Sequence, residues 1–253
     1  LKAVGKRTSR VLYSIFRMAF LIAVGYIVIY PMLYMIVSSL QSKYAFLNSS
    51  RIWIPSDLSI KENYKTAVLC LDYTTSLLST LKNEIIAGLI QVVSCAVAAY
   101  GFARFEFRGK RIKLALLFLT IIVPDMMLLI PRMINYSHLD FLGILALVNK
   151  ITGVDLRPNI LGSAVTFWLP ALFGVGLKSG ILIYIYIQFF KGLPRELEEA
   201  AWVDGAGPIR TFCNIAVPSS SVVIITVFIF SVIWHWNDST LSGMYLLGDY
   251  PLA

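Results

Sequence analysis

The amino-acid sequence predicts an all-α, polytopic membrane protein, and three observations predict it. Of its 253 residues, 58% are hydrophobic and 14% charged, with a mean hydropathy of +0.75, whereas soluble chains hold roughly 45–50% apolar and about 25% charged residues. Apolar runs of membrane-spanning length recur between polar stretches. Lysine and arginine collect at the ends of those runs and give a net charge of +8. That is the pattern of positive cytoplasmic loops, not of a phosphate-binding stripe, so nucleic acid is not an expected partner.

In chain order, Lys2, Lys6, Arg7, Arg10 and Arg17 precede or enter an apolar run from about Val11 to Val37. It is too long for a signal-peptide core and lacks a small-residue cleavage site, so it predicts a first span, with residues 1–10 a cytoplasmic N-terminal segment. The opening residue is Leu1, from which the chain is expected to begin inside its gene product. Residues 38–78 mix polar and apolar types and predict an external loop, with a short amphipathic helix starting near Lys61 to Tyr64. The first span and this loop occupy 11–80. Leu81 to Ala103 is the second span, and Gly88, Ala96, Ala98, Ala99 and Gly101 offer small surfaces for close helix packing. Arg104, Arg108, Lys110, Arg111 and Lys113 against the single Glu106 place the next turn in the cytoplasm.

The third span is expected from about Ile112 to Pro131, kinked or ended by Pro124 and Pro131. Residues 132–159 are expected outside, helical around 142–148. Leu161 to Phe190 is too long for one upright helix, and Pro170 is expected to split it, with a fourth span from about Ala171. A fifth runs from Pro218 to about Trp236, with Trp234 and Trp236 as an aromatic belt. Cys70, Cys95 and Cys213 fall in different compartments of this topology, and neither His138 nor His235 has a second ligand at helical spacing. No disulfide, metal or cofactor is expected.

Between the fourth and fifth spans lies 191–218, KGLPRELEEAAWVDGAGPIRTFCNIAVP, which is neither lipid-soluble helix nor plain loop. Pro194 suits a first helical turn, Glu196, Glu198 and Glu199 favour its positive end, and Asp204-Gly205 supplies a stop. Gly207-Pro208 opens a second helix. Leu193, Leu197, Ala200, Ala201 and Asp204 share one face of the first, and Arg195, Glu199 and Trp202 lie opposite.

Glu199-Ala200-Ala201, Gly205 four positions after Ala201, Ile215 after nine more residues, and Val217-Pro218 together resemble the EAA signature of ABC-type importer permeases, EAA-x3-G-x9-I-x-L-P. The one departure is Val217 for leucine. The block from Ala98 to Lys110 (AAYGFARFEFRGK) and Trp236-Asn237-Asp238 are similar to the carbohydrate-uptake branch, the maltose and multiple-sugar permeases. The resemblance implies a type I (MetI-like) helix bundle over residues 81–253, in which five spans are visible and a sixth is expected beyond Ala253. It also implies a bacterial or archaeal cell-membrane protein that pairs with a second, dissimilar permease, ABC ATPase subunits and an extracytoplasmic solute-binding protein. Glu198, Glu199, Ala200, Ala201, Asp204, Gly205, Ile215 and Pro218 are then the residues that couple to the ATPase. The chain itself carries no G-x4-G-K-[ST] phosphate loop, so hydrolysis is expected on another subunit.

Charges at membrane depth are costly and usually face a cavity or a partner. Asp125 and Lys178 qualify, and with Trp234 and Asn237 they are the candidates for the substrate path; an ion pair or snorkelling of Lys178 is the alternative. Lys82 and Glu84 are expected at the outer interface. A membrane-embedded enzyme using Asp125, His235 and Asp238 is the reading from another class, and it needs those groups to converge at one depth. Within transporters, amino acids, peptides or polyamines are the substrate classes next to sugars.

Overall fold

The computed structural model describes residues 2–48, 53, 57–140 and 143–246, and the chain divides into two compact units after Thr74. In the first, helix α1 (Lys2–Leu40) is 39 residues long, about 58 Å at 1.5 Å per residue. None of its apolar stretch is buried within the structure. Two short helices follow, α2 (Lys43–Asn48) and α3 (Ile60–Cys70), the latter where the sequence predicts it. The returning chain is tied to the end of α1: Ser59 N–H donates to the Leu40 carbonyl at 3.0 Å. The Asn63 amide donates to the Ser39 and Gln41 carbonyls at 2.9 and 2.7 Å. Asn63 thereby satisfies carbonyls that a helix end leaves open.

The second unit is built on α4 (Tyr73–Arg104), α5 (Lys110–Ile122), a 3-10 turn (Asp125–Leu128), α6 (Leu129–Ser137), α7 (Ile144–Thr152), α8 (Val165–Leu172) and α9 (Ser179–Gly192). After these come α10 (Glu196–Val203), α11 (Pro208–Thr211), a π-helical turn (Phe212–Ala216), α12 (Val217–Ser219), α13 (Ser221–Trp236) and α14 (Ser239–Tyr245). Its core lies between α4, α9 and α13, where Cys95, Ala99, Leu182, Tyr186, Phe190 and Val227 are buried. Small residues on α4 allow this approach. A Cβ on Gly88 would stand 3.1 Å from Val232 Cγ2, whereas one on Gly101 would meet nothing within 4 Å.

The helical class stands, but three expected spans change shape. The third is not one helix to Pro131: α5 stops at Ile122, and the following 3-10 turn and α6 leave at 99°. Pro124 causes this, because it lacks an N–H and holds Val123 extended at ψ 121. Pro131 sits in the first turn of α6, where no donor is needed, and ends nothing. The fourth expected span does not break at Pro170, which lies inside α8. The break comes at Gly174, whose φ of +68 allows a Schellman closure. Gly174 N–H donates to the Ala171 carbonyl at 3.1 Å and Val175 N–H to Pro170 at 2.9 Å. The 14 residues of α9 then reach only about 21 Å, short of a hydrocarbon core of about 30 Å.

The fifth span starts at Ser221, not Pro218, because Pro208–Ser219 forms a separate helical piece that meets α13 at 80°. Two of the described helices are long and apolar enough to cross a membrane alone, and four such crossings result if each bent pair counts as one. Of the helix expected at 142–148, Leu142 lies outside the described residues, Gly143 precedes α7, and 144–148 belong to it.

Candidate functional site: an exposed helix and a polar cavity

The segment joining α9 to α13 begins with the short helix α10. Glu196, Glu198 and Glu199 occupy the first turn of α10, where negative charge meets the positive end of the peptide dipoles. Pro194 precedes the helix instead of lying within it. The far end closes as a full Schellman motif: Gly205 takes φ +80, its N–H donates to the Trp202 carbonyl at 3.0 Å, and Ala206 N–H donates to Ala201 at 2.8 Å. Only a residue without a Cβ adopts this conformation freely. Pro208 then opens α11, as expected.

Glu199, Ala200 and Asp204 are exposed and Ala201 is half-buried. Ile215 lies half-buried in the π-helical turn, and Pro218 is exposed in α12. Leu197, Trp202, Val203 and Ile209 are exposed as well, Val203 and Ile209 by 88% and 80%. The one buried residue of α10 is Glu198, and Leu197 faces out. The reason is an ion pair with Arg104, at the C-terminal end of α4. Arg104 Nε and Glu198 Oε1 are 2.9 Å apart, with both side chains 4% exposed. Arg104 Nη2 also donates to the Leu193 carbonyl at 3.0 Å. Read from sequence, Arg104 is one more basic loop residue; its partners lie 89 and 94 positions away and leave no local signal.

Beside it, Lys110 pairs with Glu106 at 2.8 Å, and this contact holds the Glu106 carboxyl below the usual carboxylate range.

The second constellation forms where two helices are broken. Asp125 follows Pro124 in the 3-10 turn, and its carboxylate lies 3.6 Å from Arg132 Nη1. Lys178 precedes α9 with φ +52, and its Nζ stands 5.0 Å from the centre of the Trp234 ring. Both line a cavity of about 590 Å³, with Arg132, Thr120 and Ser179 among the other walls. They therefore sit at helix breaks and not midway along straight helices, and Asp125 pairs with Arg132, not with Lys178. Asn237 is outside this cavity lining: exposed at the end of α13, it donates to the Ile233 carbonyl at 2.8 Å.

The linker that carries Lys178 is fixed by Gln91, a buried residue of α4 that sequence reasoning passed over. Its amide nitrogen donates to the Leu177 carbonyl and to Ser179 Oγ, each at 2.7 Å, and its oxygen accepts from Ser231 of α13. One amide thus joins three elements. A polar residue in an apolar span was the available signal. Glu84 is buried, 3.0 Å from the Asn83 amide that donates to it, while Lys82 is exposed.

His235 borders a space of about 20 Å³ lined by neither Asp125 nor Asp238, and Asp238 caps α14 through Leu241 N–H at 3.2 Å. No group of three potential metal ligands occurs among the described residues.

Residues 2–253 match the family described as the inner membrane component of binding-protein-dependent transport systems. The osmoprotective compounds uptake permease protein GgtD of Synechocystis sp. is 27% identical over 92% of this chain and 72% of its own length. The trehalose transport system permease protein SugB of Mycobacterium tuberculosis is 30% identical over 75% of the chain and 61% of its own. The alpha-glucoside transport system permease protein AglG of Rhizobium meliloti is 30% identical, covering 76% and 46%. This chain thus spans from about half to three-quarters of the length of these relatives.

Among solved structures, a bacterial ABC transporter involved in the import of the acidic polysaccharide alginate has the same fold, with a TM-score of 0.70 at 16% identity over 95% of this chain and 76% of its own. With the exposed helix α10, its glycine stop and the long apolar helices on one chain, this protein belongs to the family of inner membrane components of binding-protein-dependent transport systems, a transport component and not an enzyme.

Proposed function

We propose that the chain is the permease subunit of an ATP-driven importer that passes a sugar or oligosaccharide, delivered by an extracytoplasmic binding protein, across the cell membrane. In this reading α10 docks on a separate ATPase subunit, the N-terminus is cytoplasmic, and a second, dissimilar permease completes the pathway. The observation that carries it is the exposed helix α10, ended by Gly205 at φ +80 and bearing Glu199, Ala200 and Ala201 in the EAA pattern. The sugar assignment rests on the names of the trehalose and alpha-glucoside relatives. In this reading Asp125 and Lys178 lie along the path, and the cavity that both line supports it.

The test uses the assembled transporter. In a Gly205→Val variant, ATP hydrolysis stimulated by loaded binding protein falls at least several-fold, since a β-branched residue at positive φ costs about 1–3 kcal/mol of backbone strain and misaims the helix. Normal stimulation together with normal co-purification of the ATPase would refute the docking role. The solute recovered from the cognate binding protein decides the substrate class: an amino acid, peptide or polyamine there replaces the sugar reading.

A further inference from the structure

We infer that Arg104 is the positioning residue of the docking helix, and that it makes α4 the rod by which movement of α10 reaches the linker bearing Lys178. This rests on the transport reading above. Three observations carry it.

The ion pair at 2.9 Å is almost wholly removed from solvent, with each side chain 4% exposed, so neither partner can exchange the other for water without a change in packing. Arg104 also holds the Leu193 carbonyl, just ahead of α10. It therefore grips the segment at two points five residues apart, which fixes direction as well as position. A single contact would leave the helix free to swivel.

The other end of the rod is Gln91. It lies 13 residues before Arg104 on the same unbroken helix, about 20 Å away at 1.5 Å per residue. There it binds the Leu177 carbonyl and Ser179 Oγ, on either side of Lys178, and Ser231 of α13. The packing between these points is close, with Cys95 and Ala99 fully buried against α9 and α13. A tilt of α10 transmitted through Arg104 thus displaces α4 as a body. Gln91 then carries the displacement to the linker that forms one wall of the cavity. Packed elements of this kind shift between discrete arrangements instead of bending continuously.

The experiment compares Arg104→Gln, Glu198→Gln and the reversed pair R104E/E198R in the assembled transporter, in membranes. Uptake and ATP hydrolysis are measured together with the amount of ATPase co-purified. Each single variant is expected to retain the ATPase while solute taken up per ATP hydrolysed falls at least fivefold. The reversed pair restores the charge pair but not the bond to the Leu193 carbonyl, since a carboxylate cannot donate it, so it should recover only part of the parent ratio. A merely structural role would lower the amount of complex and leave the ratio unchanged, and that result overturns the inference. It is overturned equally if the single variants couple normally. A parent complex that neither retains an ATPase nor imports solute would remove the transport reading itself, and the proposal with it.

Discussion

Ala200 and Ala201 stand side by side in sequence and in different surroundings. Ala200 is exposed, whereas Ala201 is half-buried and its carbonyl accepts the bond from Ala206 that closes α10. Enlarging each should therefore fail in a different way. Ala201→Leu forces volume against the chain's own packing and is expected to cost about 1–3 kcal/mol, seen as a lower melting temperature of the purified subunit. Ala200→Leu should leave that temperature unchanged and weaken ATPase co-purification. Equal melting losses in both variants would place Ala200 in the core and contradict its exposure. Gly88 gives the matching case inside the bundle: a Cβ there meets Val232 at 3.1 Å, so Gly88→Val should lower the melting temperature by a similar overpacking cost, about 1–3 kcal/mol.

At the scale of elements, what was legible followed from local chemistry, and what was not came from partners distant in sequence. Pro124 and Gly205 each act through their own backbone, and the bend at 122–125 and the stop of α10 could be expected from those residues alone. Pro170 misleads for the opposite reason. The helix runs on past Pro170 within α8, and it is the closure at Gly174, four residues on, that ends it.

Gln91 showed only its polarity within an apolar span and Arg104 nothing local, because their partners are 86 to 140 positions away. The break itself is testable. Pro170→Ala should leave the α8 to α9 joint in place, since the Schellman bonds use carbonyls and not the proline ring. Gly174→Val should instead cost about 1–3 kcal/mol at its positive φ and change maleimide reactivity of a cysteine placed at 178. If Pro170→Ala altered that reactivity more than Gly174→Val, the assignment of the break to Gly174 would fail.

For the molecule as a whole, two constraints on topology come from different physics, and one labelling experiment separates them. The ion pair between Arg104 and Glu198 at 2.9 Å requires the loop that follows α4 and the segment containing α10 to lie at the same end of the second unit. That holds whichever way the bundle faces. Which end is cytoplasmic follows instead from charge: Arg104, Arg108, Lys110, Arg111 and Lys113 against Glu106 form the densest basic loop, and such loops stay inside. Asn149, near the end of α7, should then be external.

Because Cys70 and Cys213 are exposed, the background must first be cleared of them. Single cysteines at 108, 149 and 199 are then treated with a membrane-impermeant maleimide on intact cells. Position 149 should react, and positions 108 and 199 should react only after the membrane is opened. Reaction of 108 and 199 on opposite sides would contradict the packing of α4 on α10. Reaction of both from outside, with 149 protected, would leave that packing intact and invert the molecule, carrying α10 to the face where no ATP is available and refuting the proposed docking role.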